Sequence, residues 1–137
     1  MKNDKTMNKL NYRFRGRLLL GTEWRYGSLV QSSGKCWIVQ PNGENETRMA
    51  AVEPRSVGIG TGFHDRNGRE IFENDILMLS SGKAAHVVLV PKGMEFMVVH
   101  GGTREIEPFT IMYDDYGPKN IKVVGNSMKR KSKEEGA

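Results

Sequence analysis

One cysteine, Cys36, stands among 137 residues, so no internal disulfide can staple this chain. Its neighbours Trp37 and Ile38 make it a buried thiol in a reducing compartment. No apolar run approaches the ~20 residues that a membrane-spanning helix needs. Lysines in the first ten residues have no apolar core behind them, so a secretory signal is not expected. Histidine is scarce as well: His64, His86 and His100 are scattered, with no HxH or HExxH spacing. With one cysteine besides, no structural zinc site can be built, and no metal or cofactor is expected. Cys36 lacks a neighbouring base in sequence that would make it a nucleophile. The glycines at 58, 60 and 62 are followed by no amphipathic helix, which excludes a phosphate loop. Heptads, internal repeats and long helical periods are all missing.

What is present is a folded composition, 37% hydrophobic and 27% charged, far from that of disordered chains. The net charge of +5 belongs to the ends. Lys2, Lys5 and Lys9 outnumber Asp4, and Lys129, Arg130, Lys131 and Lys133 outnumber Glu134 and Glu135, leaving the body close to neutral. Residues 1–9 and 128–137 are therefore expected as disordered charged tails.

Between the tails, short β-like runs alternate with glycine and polar turns. Tyr12 to Gly16 alternates aromatic and basic residues with period two. Residues 27–31 and 36–40 flank Ser32-Ser33-Gly34-Lys35, a hairpin signal. Residues 56–61 form a short glycine-bearing strand, and Asn67-Gly68 marks a second hairpin turn. Further strands are expected at 76–79, 86–90, 95–99, 109–112 and 121–125. Phe72 to Asp75 is long enough only for a single helical or 3₁₀ turn. The expectation is an all-β chain of two small antiparallel subdomains, 10–42 and 55–127, with 43–54 as linker. The second is expected to be an SH3-like barrel.

Residues 62–77 carry a dense motif: Gly62, Asp65, Asn67, Gly68, Glu70, Ile71, Phe72, Glu73, Asp75 and Ile76. The motif resembles the signature of the YopX-like proteins of phages and prophages, roughly G-L-x-D-x-N-G-x-E-I-[YF]-E-G-D-I-[VL]. Asn74 is the clear departure, standing where the signature has glycine. Asparagine tolerates a left-handed backbone better than other side chains, so the turn is expected to survive. The resemblance extends over about residues 12–126. The resemblance implies a phage or prophage origin; with no catalytic pattern among the residues, the expected role is a non-enzymatic accessory protein in the cytoplasm of a bacterial host, working by binding an unknown partner.

The ten signature residues are expected to be structural, with Asp65 accepting backbone N–H groups across its turn. The competing idea makes Asp65, Glu70, Glu73 and Asp75 an acid/base or metal cluster. Charged turns are far more often solvated. The binding candidates are Arg13, Arg15 and Arg17, with Trp24, Arg25 and Tyr26 close by in sequence. Basic residues among aromatics grip phosphates and stack bases. A nucleic-acid-binding small β-barrel using those arginines and the basic tails is thus the alternative function. A soluble edge strand protected by charge is the simpler account of the same pattern. Self-association is the third candidate, since eight methionines offer adaptable contact surface.

Overall fold

The computed structural model describes residues 13–127; the expected tails and Tyr12 lie outside them. The chain divides into two compact units, the first ending at Gly60 and the second beginning at Thr61. It is all-β apart from one helix and two 3₁₀ turns among the described residues, with antiparallel pairing throughout its registered strands.

The first unit is built from β1 (Phe14–Arg17), β2 (Trp24–Ser32), β3 (Lys35–Pro41), β4 (Thr47–Val52) and the start of β5 (Gly58–His64). Their order across the sheet is β4-β3-β2-β1-β5. The β2–β3 turn follows from its two central residues. Ser33 (φ 54°) and Gly34 (φ 77°) both lie in the left-handed region, as a two-residue type I′ hairpin requires. Period-two alternation sends Cys36 and Ile38 of β3 and Val52 of β4 inward, where Phe14, Leu18, Leu29 and Val57 pack against them. The sheet curls. Leu18 bridges Val52, Glu53 N–H donates to Arg17 O at 2.8 Å, and Leu19 N–H donates to Ala51 O at 3.2 Å. These bonds bring the end of β1 against the end of β4.

Residues 43–54, expected as a linker, instead hold β4 and the start of the 3₁₀ turn Pro54–Ser56. Polar composition hid the strand, because Thr47 to Met49 are exposed and only Val52 is buried. The subdomain boundary accordingly moves from 43–54 to residue 60, inside β5.

In the second unit β6 (Glu70–Phe72) lies beside the later part of β5. A five-stranded sheet follows, of β7 (Asp75–Leu79), β8 (Ala84–Val90), β9 (Glu95–His100), β10 (Ile106–Pro108) and β11 (Ile121–Asn126), ordered β10-β9-β8-β7-β11. Its core contains Ile71, Leu77, Val87, Val98, Phe109 and Ile121, all at most 1% exposed. The sheet has β10 and β11 at its edges, so the barrel closure expected over 55–127 is not observed among the described residues.

The strand expected at 109–112 is helical: α1 runs Phe109–Tyr116. Phe109, Met112, Tyr113 and Tyr116 recur at helical spacing and all meet the core, a use of four apolar residues that period two cannot make. Gly117 at φ 79° ends the helix, its N–H donating to Tyr113 O at 2.8 Å. Phe63 stands edge-on to Phe109 and Tyr113, ring centroids 5.5 and 4.7 Å away. Phe72 to Asp75, expected as a helical turn, is instead the tight connection from β6 to β7.

Candidate functional site

The signature stretch resolves into backbone support. Asp65 is buried, and its Oδ1 accepts the N–H of Asn67 (2.9 Å) and Arg69 (3.0 Å) while Oδ2 accepts that of Val123 (2.9 Å). Burial pushes this carboxyl upward, but the three N–H donors, with help from the Arg69 charge, outweigh it and hold Asp65 below the usual carboxylate value. Gly68 takes φ 78° in the same turn and donates to Asp65 O at 3.0 Å. Asp75 is fully buried, and its Oδ2 accepts the Phe72 N–H at 2.8 Å, closing the β6–β7 connection. Asn74 sits at φ 79° in that connection, so the residue that departs from the signature does take the left-handed backbone. Glu70 is half-buried and accepts the Gly62 N–H at 3.1 Å. Ile71 and Phe72 are buried, and Ile76 and Glu73 half-buried.

Among the described residues no three His, Cys, Asp or Glu side chains gather as a metal would require. His100 Nε2 meets Glu107 Oε2 at 2.5 Å. His86 is pushed below its ordinary value by burial, and its buried Nε2 has no hydrogen-bond partner among the described residues. Cys36 is buried in the first core, as its apolar neighbours implied.

The binding candidates split differently from their spacing. In the β1–β2 register Arg15 faces Tyr26 and Arg17 faces Trp24, so these four share one face of the first sheet, the face away from its core. Arg13 falls on the same face by alternation. The three arginines do not project together, however. Arg13 is exposed and Arg17 half-buried, whereas Arg15 is 2% exposed. Its guanidinium lies 4.7 Å from the centroid of the Trp24 ring. Arg25 leaves the group altogether: opposite Gly16 it lies on the other face, and it pairs with Glu23 at 2.9 Å.

The same face continues where sequence reasoning did not look. Val30 stands opposite Trp37, Trp37 opposite Ala51, and Val39 opposite Met49. Tyr26, Val30 and Met49 are 37%, 41% and 60% exposed, and Trp37 is half-buried. At the Lys35 end a cleft of about 300 Å³ is lined by Leu19, Lys35, Trp37, Ala51 and Pro54, with Cys36 and Val52 beneath. The signal was available in β3, where Lys35, Trp37 and Val39 alternate with Cys36 and Ile38. Both sets being largely apolar, period two could not say which faced out.

A family model described as YopX protein matches residues 19–129. No curated protein matches the chain.

Proposed function

The chain belongs to the YopX family, and from that premise we propose a non-enzymatic accessory protein of a phage or integrated prophage. It acts by binding a partner in the cytoplasm of a bacterial host. The outer face of the first sheet is the binding surface. One observation carries this reading: the polar atoms of Asp65, Asp75 and Glu70 accept backbone N–H groups, while Tyr26, Val30 and Met49 remain exposed on an open sheet face. Contiguous apolar and aromatic side chains left in water mark interaction surfaces. Strand order β4-β3-β2-β1-β5, the curl of β1 onto β4 and the 3₁₀ turn before β5 support an SH3-like small barrel in the first unit rather than the second.

The test is retention of macromolecules from a bacterial lysate by immobilised protein, compared with a Trp37→Thr variant that keeps the β-propensity of the site. Loss of specific partners in the variant supports the reading. Identical retention, or none by the wild type, overturns it. Self-association is the second reading, favoured by Met78, Ile106 and Val124 at 41%, 63% and 48% exposure on the second unit. Light scattering on the purified chain decides it.

A further inference from the structure

We infer that the outer face of the first sheet takes single-stranded nucleic acid, with Trp37 and Tyr26 stacking on bases and Arg13, Arg17 and Lys35 holding phosphates. This deepens the partner-binding reading and rests on it.

Charge sorting within the sheet carries the argument. The strand positions on this face are Arg13 beside β1, then the buried Arg15 and the half-buried Arg17; Trp24, Tyr26, Ser28, Val30 and Ser32; Lys35, Trp37, Val39 and Pro41; Thr47, Met49 and Ala51. Not one is acidic. Among the described residues the side chains of Arg13 and Arg17 make no ion pair. The carboxylates of this stretch lie off the strands: Glu44 and Glu46 in the β3–β4 turn, Glu53 after β4, and Glu23 paired with Arg25. A chain whose body is nearly neutral thus keeps a net cationic face, with four bases (Arg13, Arg15, Arg17 and Lys35) to the one acid Glu53, because its other acids are placed elsewhere. Whole-domain charge, which argues against an electrostatic footprint, averages this away.

Polyanions and acidic proteins would both answer such a face; the aromatics decide between them. Trp24 and Tyr26 are two residues apart on β2, and Val30, opposite Trp37, is four further on. At the rise of a strand that places the Tyr26 and Trp37 rings roughly 14 Å apart along the sheet, with Trp24 already stacked by Arg15. Flat rings interleaved with cations and hydroxyls suit unpaired bases, each of which has a π-face to stack. The cleft beside Trp37, with Lys35 at its rim, is at the small end of ligand pockets and suits one flat ring. A duplex hides its base faces and offers this surface only phosphates.

The experiment uses the full chain and an oligothymidylate of about 12 nucleotides, within the span of small β-barrel sites, followed by tryptophan quenching and anisotropy over a salt series. Wild type should bind, weakening as salt rises. Replacing Arg13 and Arg17 by glutamine should lower affinity and flatten the log–log salt slope by about 1.4. Trp37→Thr should weaken binding about tenfold or more, while Trp37→Phe, which keeps a stacking face, should retain it. A melting temperature equal to wild type within a few degrees certifies each variant as folded. Undiminished binding by Trp37→Thr or by the double arginine variant would overturn the inference, since binding would then lie outside this face. So would a duplex of equal length bound as tightly. If wild type binds no oligonucleotide yet still retains proteins through Trp37, the partner is a protein and only this inference falls. If neither is retained, the partner-binding reading falls with it.

Discussion

Asp65 Oδ2 accepts the backbone N–H of Val123 at 2.9 Å, joining positions 58 residues apart in sequence. A single carboxylate thereby ties the turn after β5 to β11, next to the irregularity between Val123 and Gly125. Asp65→Asn should lower unfolding free energy by about 2–4 kcal/mol, because three N–H groups lose a charged acceptor. Urea unfolding measures it. A loss below half a kilocalorie would mean that the turn holds without its carboxylate.

Acid should remove stability in two separate windows. Asp65 titrates below its ordinary value of 3.8 in the folded chain. Its contribution is therefore fully present above that value and lost as pH falls through the lower folded one. His86 is also lowered, from 6.5; for a base this means the folded state resists protonation, so stability declines as pH falls below 6.5 and levels off beneath the folded value. His86→Val should flatten the upper window and leave the lower; Asp65→Asn should do the reverse. Melting temperature against pH for the three proteins checks both signs.

Gly68 holds φ 78° with nothing within 4 Å of where a Cβ would be. Its cost on substitution is backbone strain alone. Gly68→Val should destabilise by about 1–3 kcal/mol, and Gly68→Asn by much less. Equal effects would locate the cost elsewhere.

Gly27 presents the opposite problem. A Cβ there would sit 2.3 Å from the carbonyl oxygen of Val39, a backbone atom that cannot swing aside. Gly27→Ala should cost about 1–3 kcal/mol through overpacking between β2 and β3, whereas Gly125→Ala meets open space. Chemical denaturation of the pair provides the comparison.

Arg15 should behave unlike its neighbours. Its buried guanidinium over Trp24 predicts that Arg15→Gln costs about 2 kcal/mol or more. Arg13→Gln should stay within about 0.5 kcal/mol. Similar small losses for both would mean that burial at Arg15 carries no energy.

Much of this architecture is legible locally. Ser33-Gly34, Asn67-Gly68 and Asn74 announce their turns because left-handed backbone restricts residue choice, and each does take positive φ or the turn expected. Asp65 is readable for the same reason, its partners at 67 and 69 being near in sequence; its bond to Val123 is not, since no local rule reaches that far. Residues 109–116 were misleading because a short apolar run fits either period, and packing against Phe63 decides for helix. The alternation Arg13-Arg15-Arg17 gives one shared face correctly but not its burial, which depends on what covers each position.

Both tryptophans of the chain, Trp24 and Trp37, lie on the outer face of the first unit, and the second unit has none. Indole emission therefore watches one half of the molecule and is blind to the other. Tyr113 and Tyr116, packed against the second core, supply a separate near-ultraviolet signal. Unfolding followed by both probes distinguishes one cooperative transition from two without any label, and quenching by a bound ligand identifies which half it has reached.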